Sequence, residues 1–573
     1  MKKKLAALLM TFAMAASLIP TGVYARGATR DYVTINGTQY ENGEIELGTG
    51  TASWDADIHT LTLNNVNLEG YIYISSTTDS VPVTVVLQGE NTITTPQDVK
   101  YHGIKSEGAM NVRAENGASL SVTMKSYEQA FYVVEGDLAI SGGTYTLTGD
   151  RAAICTYRGG VTIADGANIT ATANGDSAIS AAKGIEITGA GTTVNATGYY
   201  RALHAETGSI AISDGAQVEA VSTNDSALWT PNGTVAVTGA GSSLNARAEA
   251  AGFCAINAMN GVSVLDGAAL TAHTESDHPV YSKSGGVVLN NATVNITSNH
   301  EDAVGLYAGS ETEGIVITNS TVDVNTKSTS LFSKGDVGIT DSTVNIVSGA
   351  NPIYAKKNVV VTGQKTNLTA SGANPIAADG TIQIDGAAVS ATATNGTAIS
   401  GAAGVSIQNG AQVNAGTTAK MSAIYSEQGN IEVEGETTSV TASSTQDSAI
   451  FTRNGNIILE SGTVNVTAAK GFSPIVARTS GTANDPASVP AAQEKIQIGE
   501  GLTLNGAKVA ATNWKTADGE VGYYSDVMLV PADVELDENG LLPEGYSPTL
   551  SEVTVNEYVA PTPTPTAEPW TPN

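Results

Sequence analysis

Residues 160–197 read GVTIADGANITATANGDSAISAAKGIEITGAGTTVNAT. Val161 and Ile163 alternate with polar neighbours, as in a strand with one buried face. Asp165-Gly166 is a turn dipeptide, and Ile169 and Ala171 start a second alternating run. Asn174-Gly175-Asp176 turns the chain again, and a third short strand centres on Ile179. The pattern then restarts at Ile185 and Ile187. One unit is therefore three strands and three corners in about 25 residues.

The third strand repeats most clearly. Its large apolar anchors are Ile104, Phe131, Ile154, Ile179, Leu203, Leu228, Ile256, Val280, Leu306, Leu331, Ile353, Ile376, Ile399, Ile424, Ile450 and Ile475, at gaps of 22 to 28 residues. Ile72 marks an earlier turn. The first strand repeats as Val161/Ile163, Ile210/Ile212 and Ile457/Leu459, and the second as Ile169/Ala171, Leu244/Ala246 and Val464/Val466. A single such coil cannot bury its apolar face, so coils must stack. The sequence predicts an all-β, right-handed parallel β-helix, a solenoid of three strands per coil and about 17 coils, capped at both ends. Leucine-rich repeats have a similar period, but their Leu-x-x-Leu-x-Leu pattern is absent.

The organisation expected along the chain follows. Residues 1–25, with Lys2-Lys3-Lys4, the apolar run Leu5 to Leu18 and Val23-Tyr24-Ala25, form a secretory signal peptide cleaved after Ala25. Residues 26–58 form an N-terminal cap, 59–510 the β-helix and 511–558 a C-terminal cap containing Trp514, Tyr523, Tyr524, Val527 and Leu529. Residues 479–494 read as an inserted loop, and Ile496, Ile498, Leu502 and Leu504 as a last coil. Residues 559–573 are a Pro/Thr-rich linker tail.

The formal net charge is −29, and loss of the three signal-peptide lysines makes it about −32. That balance argues against nucleic acid as a partner and is compatible with Ca²⁺, cationic surfaces or simple solubility. Beyond the signal peptide no apolar run is long enough to span a bilayer. Cys155 and Cys254 lie four repeats apart, roughly 19 Å at strand spacing, too far for a disulfide.

Stacking turns equivalent positions into columns about 4.8 Å apart per step. The residue after each anchor points outward. Eight of these 16 positions are aromatic, against 5% of the chain: Tyr132, Trp229, Tyr281, Tyr307, Phe332, Tyr354, Tyr425 and Phe451. Such a wall suits the C–H faces of an extended polysaccharide, or stabilises itself by ring stacking. Beside it, Asp176, Asp225, Asp277 and Asp302 occupy one corner, as do Asp150 and Asp447. Carboxylates are Ca²⁺ ligands, and also ordinary turn residues that bond their own backbone. A third column, with Thr170, Asn195, Asn245, Asn295 and Asn345, reads as a polar ladder. Catalytic signals are weak: no His-Glu-x-x-His and no Gly-x-Ser-x-Gly occurs. A carboxylate pair for glycoside hydrolysis cannot be singled out among 56 acids.

The stretches WDADIHTLTLNNVNLEG (Trp54 to Gly70), VTVVLQGENTI (Val83 to Ile93) and HGIKSEGAMNV (His102 to Val112) resemble a family of secreted Gram-positive β-helix proteins known as carbohydrate-binding-domain proteins. The likeness is specific over residues 50–115 and generic afterwards. It implies a pectate-lyase-like helix that binds plant cell-wall polysaccharide, with Ca²⁺ sites and no established catalysis. The fold also resembles polysaccharide lyases, without their catalytic motifs. The expected function is thus a secreted, non-enzymatic, monomeric surface protein that binds plant cell-wall or host polysaccharide along the aromatic wall. The alternatives are a polysaccharide lyase or glycoside hydrolase, and a structural spacer or protein-binding adhesin.

Overall fold

The computed structural model describes residues 31–76, 81–97, 100–478, 492–512, 526–536, 542–543 and 545–557. The expected signal peptide, most of the inserted loop, Trp514, Tyr523, Tyr524 and the Pro/Thr tail lie outside the described residues.

The chain is an all-β parallel solenoid of about 16 turns with three strands per coil, close to the 17 expected. In the coil quoted above the strands are Val161–Ala164, Asn168–Ala173 and Ile179–Ala181. They belong to three separate sheets, here numbered 1, 2 and 3 in chain order. Each strand pairs in parallel with its equivalent in the next coil, as Ile179 does with Leu203 and Val161 with Ile185.

The corners explain the turn residues. Between sheets 1 and 2 the chain enters the left-handed region, with φ of 54° at Asp165 and 74° at Gly166. Asn409-Gly410 repeats this geometry. Side chains other than Gly, Asn and Asp are disfavoured there. Buried hydroxyls tie consecutive corners together: Thr192 Oγ1 accepts from the Gly166 N–H at 3.1 Å and donates to the Thr188 carbonyl at 2.8 Å.

The core is one continuous column running the length of the solenoid. Sheet 3 strands alternate in, out, in, so each anchor is buried and the residue after it is half-buried. Each buried Ile anchor contributes on the order of 2–3 kcal/mol of hydrophobic stabilisation.

At both ends the pairing changes from parallel to antiparallel. Tyr32–Ile35 lies antiparallel on Ile72–Ser75, and Thr51–Asp55 on Thr60–Asn64. At the far end Asp526–Pro531 lies antiparallel on Ile475–Arg478, and Glu552–Glu557 on Thr463–Thr467. These strands cover edges that would otherwise pair with other chains. Of the last coil expected from Ile496 to Leu504, Ile496–Ile498 stacks in parallel on Ile457–Leu459. Leu502–Leu504 pairs instead with the antiparallel strand Glu552–Glu557. Among the described residues no helix is long and apolar enough to cross a membrane.

Candidate functional site: the outer face of sheet 3

The register puts the outward residues of sheet 3 in a single column. Tyr132 sits beside Cys155, Cys155 beside Ser180, Ser180 beside His204, and His204 beside Trp229. After Asn257, Tyr281, Tyr307, Phe332 and Tyr354 form an unbroken run. Tyr425 and Phe451 form a later pair, separated from Tyr354 by Ala377 and Ser400. Tyr73 and Lys105 extend the column at the N-terminal end.

The rings stack on one another. Tyr281 and Tyr307 are 4.8 Å apart between centroids, Tyr307 and Phe332 5.1 Å, and Tyr425 and Phe451 5.9 Å. Phe332 and Tyr354 meet edge-on at 5.7 Å. His278 lies 5.5 Å from Tyr281 and 5.6 Å from Tyr307, and the Arg201 guanidinium is 3.8 Å from the centre of Trp229. A ring inside a run, such as Tyr307, therefore has neighbours on both faces. At the ends of the runs Tyr132 lies beside Cys155, Trp229 beside Asn257, and Tyr354 beside Ala377 with Lys356 Nζ 4.8 Å from its ring centre.

The acidic corner lies between sheets 2 and 3, and the carboxylates of Asp176, Asp225 and Asp277 have partners close by. Asp176 Oδ1 accepts from the Ser177 N–H at 2.8 Å, and Oδ2 lies 3.7 Å from Arg151 Nε. Asp225 accepts from the Ser226 N–H at 2.6 Å and forms an ion pair with Arg201 Nη2 at 2.8 Å. Asp277 accepts from the His278 N–H at 2.8 Å, and its hydrogen bonding to His278 holds its carboxyl below the usual range. The Asp302 N–H donates to His300 Nδ1 at 3.2 Å. Only Asp277 and Asp302 of the four sit in neighbouring coils. Among the described residues no three His, Cys, Asp or Glu side chains gather as a metal site. As placed, the four carboxylates do not by themselves surround a Ca²⁺ ion, which takes six to eight oxygens.

Several contacts of this face, and the tyrosines beside it, escaped the sequence reading. Ser180 Oγ is 3.4 Å from His204 Nδ1, and His204 Nε2 is 3.0 Å from Glu206 Oε2. Burial, then the Arg201 cation, pushes the His204 pKa down. The N–H groups of Ile179 and Ala182 are bonded to the Ala202 and Thr156 carbonyls. Cys155 and Cys254 are both free thiols, and burial pushes that of Cys155 up to about 11. The corner also exposes Tyr101, Tyr127, Tyr199 and Tyr200. They lie three or four residues upstream of the sheet 3 strand, in KYHGI, YEQAF and YYRAL, so a column read only after the anchor misses them.

No protein-family model matches the chain, and no curated protein matches it.

Proposed function

We propose that this chain is a secreted, non-catalytic surface protein that binds polysaccharide along the outer face of sheet 3. The supporting observation is the single column of half-buried aromatic side chains from Tyr132 to Phe451. Partly exposed rings repeated along one face suit an interaction surface. Sugar C–H faces stack on rings at the ends of each run, and tyrosine hydroxyls and corner carboxylates meet sugar hydroxyls. The ligand is plant cell-wall or host polysaccharide and the protein acts as a monomer. Ca²⁺ enters at Asp277 and Asp302, with the remaining oxygens supplied by the ligand.

The ring-on-ring contacts also favour a second reading. Tyr281, Tyr307 and Phe332 stabilise one another without any ligand, as a structural spacer or protein-displaying rod requires.

Capture of the mature chain on immobilised plant and host glycans, with Ca²⁺ or chelator, separates the two. Binding lost in Tyr281→Ala/Tyr307→Ala/Tyr354→Ala, with circular dichroism unchanged, supports the polysaccharide reading. Absence of capture on every glycan supports the spacer. New reducing ends or unsaturated products would replace both with a hydrolase or lyase.

A further inference from the structure

The corner between sheets 2 and 3 carries a second aromatic surface near the N-terminal end. Tyr71 and Tyr101 stack at 4.1 Å with planes 12° apart, and Tyr101 is 51% exposed. Tyr127 is 62% exposed. Its ring crosses the corner at Asp150 and Arg151 to lie against Gly175, where a Cβ would come within 2.9 Å of Tyr127 Cε2 and of the Asp150 carbonyl. Gly175 thus leaves room for a ring laid along the solenoid axis. In the following coil Tyr199 and Tyr200, 41% and 42% exposed, meet edge-on at 4.9 Å. Their N–H groups bond the Ala173 and Asp176 carbonyls on either side of Gly175, which makes the strip continuous. From Tyr101 to Tyr199 it covers four coil steps, roughly 19 Å.

We propose that this strip is a binding subsite for a neutral, extended polysaccharide, an extension of the face already described; it rests on the polysaccharide-binding reading. Three features define the ligand. First, the exposed rings expose more surface than those of the sheet 3 column, so sugar C–H faces can stack on them. Second, the large apolar side chains of the strip are all tyrosines. The exposed aliphatic residues Ile58, Val81, Val316, Val347 and Met421 lie elsewhere, so the strip fits a polyhydroxylated chain better than an apolar protein surface. Third, Lys100, Lys125, Arg151 and Arg201 are matched along the strip by Glu128, Asp150, Asp176 and Asp225, with Arg151 near Asp176 and Arg201 held by Asp225, so the strip carries no excess of positive charge. That balance disfavours a uronate polymer.

The test is hydroxyl-radical footprinting of the mature chain, read by mass spectrometry, with cellohexaose, xylohexaose, mannohexaose or hexagalacturonate. Oxidation of Tyr101, Tyr127, Tyr199 and Tyr200 is expected to fall several-fold with a neutral hexasaccharide. Tyr127→Ala/Tyr200→Ala, with its dichroism unchanged, is expected to bind that sugar about tenfold more weakly. Binding that protects only the Tyr281–Tyr354 run overturns the corner subsite and leaves the polysaccharide reading standing. Protection of the corner by hexagalacturonate alone overturns its neutrality. If no sugar binds in either assay, the polysaccharide reading fails, and this subsite with it.

Discussion

His102 shows how one side chain couples the face to acidity. It stacks 4.4 Å from Tyr132, with Glu128 3.4 Å away. Burial, then the Lys105 cation, pushes its pKa down to about 4. In the unfolded chain a histidine titrates near 6.5. The folded state therefore keeps His102 neutral where the unfolded state takes up a proton. This contribution is complete above about pH 6.5 and is lost as pH falls towards 4, by on the order of 2–3 kcal/mol. Urea unfolding of wild type and His102→Gln between pH 7 and 4 should diverge accordingly, with the variant less sensitive to acid. Parallel pH dependence of the two would contradict the buried, neutral histidine. The Asp165-type corners are equally local: φ of 54° explains why Asn and Asp recur before Gly there, and that signal was plain in the sequence.

At the scale of the element, the sheet 3 strand is three residues long and carries both the anchor and the wall. Two-residue periodicity made the inward and outward assignment legible, because one step along a strand reverses the face. Contact between side chains was not legible. The spacing of Tyr281, Tyr307 and Phe332 gives their column, but only the rotamers show that the rings cover one another. The corner tyrosines were missed for a related reason. Tyr127 acts two coils beyond its own, against Gly175, so its role is invisible in its own repeat. The acids were legible as a corner column, whereas their bonds to the next N–H, as at Asp176 and Asp225, depend on turn geometry. Tyr307→Ala removes two stacked contacts and should lower stability by about 1–2 kcal/mol. Urea unfolding checks this, and an unchanged midpoint would mean that the stack contributes nothing.

At the scale of the whole molecule, strand pairing in the solenoid runs between neighbouring coils and the two ends are closed by antiparallel strands. Stability is then close to a sum over coils and interfaces. Excising residues 376–398, one full period from anchor to anchor, joins equivalent positions and should leave a folded rod shorter by about 4.8 Å. Circular dichroism and small-angle scattering would report this, and collapse of the β signal would show that the coils are not interchangeable. Excising half a period should unfold or aggregate the chain, because every later side chain leaves its sheet.

The long face gives the polysaccharide proposal its most direct consequence. A ligand lying along stacked coils gains contacts with length, whereas one held at a single point does not. Calorimetric titration of the mature chain with a size series of whichever glycan it captures therefore tests the central claim. The expected result is affinity that rises with chain length until the aromatic face is spanned, with a negative heat-capacity change from burial of ring surface. Length-independent affinity would contradict an extended binding face, and absence of heat at every length would contradict polysaccharide binding itself.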